Sequence, residues 1–224
     1  LVQSEIILNS PELLPLPLNR AMLAGMMFVG EPKRVLLAGM GGGAIARYFS
    51  ACFLGVKGEA VEKSEVVAKL AQEYFDFPNN KNWQIVKQDI LDYVQNCSEK
   101  YDLIVIDIAT EQKTPEWLID RDFLQQCRSL LTENGHITFN LLVDDANGFM
   151  HCVSTLRAVF DRRVVCLSLP TYRNIIVLGF NNVPTYPPKE AQTRLADLES
   201  SWGLEFSQFY QQMLKDNPPN SGVF

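Results

Sequence analysis

From about residue 34 to residue 160, short apolar runs alternate with segments whose apolar positions recur every three or four residues, so strands should alternate with amphipathic helices. The runs Arg34–Ala38, Glu59–Val61, Trp83–Val86, Leu103–Ile106 and His136–Asn140 read as strands. Each is followed by a helical pattern, at Ala44–Phe53, Ser64–Tyr74, Ile90–Asn96, Pro115–Leu131 and Ala146–Phe160. Ser64 is placed as an N-cap, and Asn134-Gly135 as the stop after the fourth helix. Strict alternation of this kind predicts a parallel sheet with helices on both faces. Two more strand-like runs, Arg163–Leu169 and Asn174–Phe180, are separated only by Pro170-Thr171-Tyr172-Arg173. So brief a link cannot join parallel strands, and the sheet is expected to end in an antiparallel hairpin.

The ends of the chain read differently. Pro11, Pro15 and Pro17 predict an extended lead over residues 9–18, followed by an apolar helix near Arg20–Val29. Pro184, Pro187 and Pro188 mark a boundary, after which residues 189–216 read as one or two amphipathic helices broken near Gly203. Trp202, Phe206, Phe209 and Tyr210 suit either packing on the sheet or a dimer contact.

Composition narrows the function. A 224-residue chain that is 47% hydrophobic and 21% charged is globular, neither disordered nor membrane-spanning. Its 26 acidic against 20 basic residues, with no cluster of Lys or Arg, argue against nucleic acid or an anionic membrane as partner. The five cysteines, Cys52, Cys97, Cys127, Cys152 and Cys166, are scattered singly, so a reducing cytoplasm is the expected compartment. Cys52, Cys127 and Cys152 fall on helix faces and are expected in the core. His136 and His151 are the only histidines, and no metal site is expected. The start at Leu1-Val2-Gln3 shows no signal peptide, and the lack of an initial Met suggests a trimmed chain.

The most informative stretch is Val35-Leu36-Leu37-Ala38-Gly39-Met40-Gly41-Gly42-Gly43-Ala44, a strand emptying into glycines and then a helix. A backbone without Cβ atoms turns sharply there and lets a ligand approach its N–H groups. Glu62, nineteen positions beyond Gly43, sits at the tip of the next strand, where a carboxylate can accept hydrogen bonds from both ribose hydroxyls. Gly39, Gly41 and Ala44 also satisfy a dinucleotide fingerprint, so the loop alone does not choose the ligand. Gln88-Asp89-Ile90 follows the third strand, offering Asp89 to an adenine amino group and Ile90 to the ring, and Asp107 ends the fourth. Three acids at three successive strand ends, without a basic residue in the loop, suit a nucleoside with a positive sulfonium better than one with a pyrophosphate.

This constellation resembles the class I S-adenosylmethionine-dependent methyltransferases, and within them the spermidine synthase-like aminopropyltransferases. The resemblance covers most of residues 16–181. It rests on Gly39-Met40-Gly41-Gly42-Gly43, on Tyr101-Asp102-Leu103-Ile104-Val105-Ile106-Asp107, on Asp122-Phe123-Leu124 leading to Leu131-Thr132-Glu133-Asn134-Gly135, and on Pro170-Thr171-Tyr172. It implies a Rossmann-like α/β fold, with a seven-stranded, mostly parallel sheet ending in the antiparallel hairpin. On that reading residues 1–30 are an N-terminal segment and helix, 31–183 the S-adenosylmethionine-binding domain, and 184–224 a helical extension. It implies S-adenosylmethionine or its decarboxylated form at Gly39, Gly41, Gly43, Glu62, Asp89 and Ile90. Asp107 becomes the catalytic acid, Tyr172 and Glu111 contact the acceptor, and the partner is a small-molecule acceptor, with an amine as one candidate. A homodimer is also compatible with it.

The amine half departs from the family pattern. Ala44 stands where members carry a loop acid, and the Asp-x-x-Asp segment becomes Asp107-Ile108-Ala109-Thr110, with Glu111 one residue late. Asn19-Arg20-Ala21 replaces Tyr-His-Glu ahead of Met22-Leu23-Ala24, and the family's N-terminal β-rich domain is largely missing. Asp144 and Asp145 read as a helix N-cap pair or as added charge at the pocket. Altered or lost polyamine specificity is therefore expected. A methyltransferase for a small acceptor and a non-catalytic nucleoside-binding protein are the alternatives.

Overall fold

The computed structural model describes residues 2–108, 114–142 and 145–224. Helices α1 (Pro17–Met22) and α2 (Met26–Val29) precede a regular alternation of β1 (Arg34–Ala38), α3 (Ala44–Cys52), β2 (Lys57–Val61), α4 (Glu65–Tyr74), β3 (Trp83–Val86), α5 (Ile90–Asn96) and β4 (Tyr101–Ile106). Then come α6 (Arg121–Ser129), β5 (Leu131–Leu142), α7 (Ala146–Val159), β6 (Val164–Ser168), β7 (Asn174–Phe180), α8 (Pro188–Trp202) and α9 (Phe206–Asp216). The seven strands form one sheet in the order β3-β2-β1-β4-β5-β7-β6. β1 to β5 pair in parallel, and β7 pairs antiparallel with both β5 and β6. This is the Rossmann-like class I methyltransferase architecture expected from the sequence.

The central strands are apolar throughout because both faces are covered. Along β1, Val35 and Leu37 enter one core with Met22, Phe49 and Phe206, while Leu36 and Ala38 enter the other with Phe123, Phe139 and Leu156. Phe206, Phe209 and Tyr210 of α9 are buried in the first core, which answers where the C-terminal helices go. Asn217, just past α9, covers the free edge of β6: its amide accepts from Cys166 N–H (2.8 Å) and donates to Cys166 C=O (2.7 Å). An edge strand so capped is closed to further pairing. Among the described residues no helix is long and apolar enough to cross a membrane.

Several elements differ from expectation, each for a local reason. The helix expected over Pro115–Leu131 is a 3-10 turn, Glu116–Ile119, followed by α6. Asp120 between them is extended, and its Oδ1 accepts from the N–H groups of Asp122 (2.9 Å) and Phe123 (3.2 Å), a cap that restarts the helix. Asn134-Gly135 is no helix stop but part of a bulge in β5. Between the pairs Tyr101–Leu131 and Leu103–His136, β4 advances two residues and β5 five. Residues 9–18 contain turns, with Ser10 N–H bonded to Ile7 C=O and Leu13 N–H to Ser10 C=O, and α1 starts early, at Pro17. Cys127 and Cys152 are buried as expected, whereas Cys52 is exposed at the end of α3.

The helix expected over Arg20–Val29 is two, because the chain passes close over His136 at Gly25. A Cβ on Gly25 would lie 2.4 Å from the imidazole. The ring is fully buried and stacked on Phe180 (5.7 Å), and neither nitrogen has a hydrogen-bond partner. Burial pushes its pKa down to about 4, against a smaller opposing pull from Asp102. An unfolded chain with an ordinary histidine takes up this proton first, so stability is complete above about pH 6.5 and falls as pH drops towards 4. We expect His136 alone to remove about 2 kcal/mol of stability between pH 7 and pH 5. Urea denaturation at the two pH values measures this, and His136→Leu should lose that part of the slope. Equal slopes in parent and variant would remove His136 as its source.

Candidate functional site

The parallel strands leave their carboxyl ends on one edge of the sheet, and between β1 and β4 the connections diverge to opposite sides. Such a switch point opens a crevice at the strand ends. β1 stops there at Gly39, whose N–H donates to Val61 C=O (3.0 Å), while Asp107 N–H donates to Ala38 C=O (2.9 Å). Gly39 has φ +78°, and a Cβ on it would lie 2.4 Å from the Asp107 carbonyl oxygen, so only glycine fits between the two strand ends. Gly43, with φ +72°, opens α3, and a Cβ there would meet the Phe77 ring at 2.6 Å.

Glu62 stands at the tip of β2 as expected. Its Oε1 accepts from Ser64 N–H (2.8 Å) and its Oε2 from Met40 N–H of the loop (3.4 Å). Asp89 caps α5, accepting from Leu91 N–H at Oδ1 (3.0 Å) and from Lys63 at Oδ2 (2.8 Å). The Lys63 ammonium and that N–H hold its carboxyl below the usual range. Ile90 is almost wholly buried in the second core. Asp107 is exposed at the end of β4, and its Oδ1 accepts from the Asn140 amide (2.8 Å). Protein packed around the carboxyl raises its pKa, and the Asn140 bond opposes the rise. Open access to water limits the rise.

Gly39, Gly41, Ala44 and Asp107 line one cavity of about 30 Å³, together with Gln3–Glu5 and Asn19, which sequence reasoning did not bring to the site. Ser4 Oγ accepts from Gly42 N–H (2.9 Å), laying the N-terminal segment across the glycine loop. Arg47 of α3 holds it there. Its buried guanidinium donates to the carbonyls of Pro11 (3.0 Å), Gly42 (2.5 Å) and Phe75 (2.5 Å). The signal for Arg47 was a cation on the apolar face of α3, beside Tyr48 and Phe49.

Not every expected residue joins this cavity. Tyr172, half-buried in the β6–β7 turn, donates its N–H to Leu169 C=O (2.9 Å) and is not among the lining residues. Asp145 caps α7 through Gly148 N–H (2.8 Å). Glu111 and Asp144 lie outside the described residues. A wider groove of about 1150 Å³ runs between the 3-10 turn and α7, past Trp117, Asp145 and His151, and contains none of the glycine-loop residues.

No family model matches the chain. It is similar to the polyamine aminopropyltransferase of Chromobacterium violaceum, 29% identical over 223 residues that span 99% of this chain and 85% of that one. In three dimensions it resembles human methyltransferase-like protein 13, solved in complex with SAH (TM-score 0.71, 21% identity, 88% of this chain and 93% of that one). The spermidine synthase of Thermotoga maritima is similar at TM-score 0.69 and 20% identity, over 91% of this chain and 72% of that one. At such identities the two structures speak for the fold alone. The chain folds as the class I methyltransferases do and is similar over nearly its whole length to a polyamine aminopropyltransferase, so it resembles the spermidine synthase-like branch of that superfamily.

Proposed function

We propose that the chain binds a nucleoside of the S-adenosylmethionine family and transfers a group from its sulfonium to a small acceptor, with polyamine specificity altered or lost. The observation that carries this reading is Gly39, where a Cβ-free loop meets Asp107 inside one cavity. When bound, such a nucleoside supplies an electrophilic carbon on a positive sulfur that leaves as a thioether. Gly39, Gly41 and Gly43 keep the loop backbone open to it. Glu62 accepts from the ribose hydroxyls, and Asp89 and Ile90 face the adenine. Asp107 takes the proton that the acceptor gives up as its new bond forms. The five cysteines, none in a disulfide, support a reducing compartment, the cytoplasm.

The acceptor side is poor in charge. Among the described residues lining the cavity, Asp107 and Glu5 are the only carboxylates, and Ala44 stands there without one. A diamine carries two positive charges, and burying it without matching acids costs several kcal/mol of hydration. Ala44 also favours a second reading, a methyltransferase, because no loop acid awaits the terminal amine of decarboxylated S-adenosylmethionine.

Calorimetry with S-adenosylmethionine, its decarboxylated form and their thioether products tests the binding. Glu62→Ala should weaken it about tenfold to a hundredfold, the value of hydrogen bonds to a charged group. Undiminished affinity would take Glu62 out of the site, and thermal stabilisation by NAD instead would overturn the choice of nucleoside.

With putrescine and decarboxylated S-adenosylmethionine, turnover should stay well below about 1 per second. Asp107→Asn, which keeps the shape and removes the base, should abolish whatever turnover there is. A parent enzyme working on putrescine at ordinary rates would show that acids from elsewhere complete the site.

A further inference from the structure

Asp107 does not stand alone at the strand ends. Asn140 of β5 lies one position beyond the last β4–β5 pair, Ile106–Phe139, and donates its amide to Asp107 Oδ1 (2.8 Å). Asn174, the first residue of β7, donates its own amide to Asn140 Oδ1 (2.9 Å). The three side chains form a line across three neighbouring strands. Asparagine is disfavoured in strands, and half-buried Asn140 lies on the face of β5 opposite to Phe139 and Leu141.

The line has only one workable polarity. An ionised carboxylate accepts and cannot donate, so Asn140 must present its NH₂ to Asp107 and its carbonyl oxygen to Asn174. Asn174 must then donate. Turning either amide over would set two acceptors face to face.

We propose that Asn140 and Asn174 are positioning residues for Asp107: their amide relay occupies Oδ1 and leaves Oδ2 as the oxygen that meets the acceptor and holds its proton. This rests on the reading of Asp107 as the base. A proton on Oδ1 would displace the Asn140 donor, whereas one on Oδ2 leaves the relay intact. The relay also favours the ionised carboxylate, against the packed protein around it that raises its pKa. Glu5 is the one other titratable side chain among the described residues lining the cavity, so the relay is the main polar influence that can be varied separately.

The test is a carboxyl-carbon NMR titration of Asp107 in the intact protein, which needs neither nucleoside nor acceptor. Asn140→Leu keeps the approximate shape and removes the donor, and the Asp107 midpoint should rise by about one unit. Asn174→Leu leaves Asn140 in place but frees it to turn, and should move the midpoint the same way by a smaller amount. An unchanged midpoint in both variants overturns the relay, and a shift in Asn140→Leu alone removes Asn174 from it. Should Asn140→Leu fail to fold, Asn174→Leu decides. Where turnover is measurable, kcat should fall about tenfold with KM held, and the acid limb of the pH profile should move with the NMR midpoint. Lack of turnover with every acceptor would count against the proposed reaction, while the titration would still decide the relay.

Discussion

The close approach of two strand ends at Gly39 is the constraint on which fold and site both depend. β1 hands its last carbonyl, at Ala38, to the N–H of Asp107, while Gly39 turns away to reach Val61 on the other side. Any side chain on Gly39 would strike the Asp107 carbonyl. The sheet can therefore hold its parallel pairing up to the last residue of β4 and still release β1 into a loop. That loop in turn aims α3 back across the first core. The same few atoms that close the sheet thus bring an open backbone and a carboxylate together.

Arg47 extends this constraint to the N-terminal segment. A buried guanidinium is costly unless its donors are taken, and here they go to backbone carbonyls from three separate stretches of chain. Burial lowers its pKa, partly offset by Asp76. Because Gly42 C=O accepts from Arg47 and Gly42 N–H donates to Ser4, the two peptides that flank Gly42 are both fixed. Residues 3–5 then lie on the loop rather than in solvent. One wall of the cavity is thus set by a helix residue that does not line the cavity itself.

What was legible in the sequence is what local patterning decides. β1, β3, α5 and β7 have the expected bounds, and Ser64 caps α4 through Val67 N–H, because apolar runs and capping residues act over a few positions. The glycine loop and the strand-end acids Glu62, Asp89 and Asp107 were legible for the same reason. Asn134-Gly135 misled because its turn chemistry serves equally to end a helix or to bulge a strand, and Gly135 is needed where a Cβ would lie 2.8 Å from the Tyr101 carbonyl. The split between α1 and α2 depends on His136, more than a hundred residues away. Gln3, Ser4 and Glu5 reach the site through Arg47 and through the bond from Gly42 to Ser4, contacts more than thirty residues apart in the chain. Asn140 and Asn174 meet Asp107 only through cross-strand register, which no local pattern records.

The protein carries a second polar cluster, and the comparison separates structure from chemistry. In the middle of β2, Glu59 accepts from the hydroxyls of Tyr101 and Tyr93 (2.8 Å for Tyr93), from Gln84 (2.7 Å) and from Arg34 (3.4 Å). Burial works to raise its pKa, yet these donors hold it below the ordinary carboxylate range, while both tyrosines are pushed well up. Perturbed ionisation by itself would point to this cluster as readily as to Asp107. But each Glu59 oxygen accepts from two donors, which fills the acceptor positions of the carboxylate, so it is locked as an anion that ties β2, β3 and β4 together and has nothing left to offer a ligand. Among the described residues, Asp107 has a donor on one oxygen and none on the other, in a cavity bounded by glycine. A carboxylate that is oriented but not saturated can exchange a proton with a bound molecule, and that difference, rather than the size of any shift, makes the glycine-loop edge the chemical one.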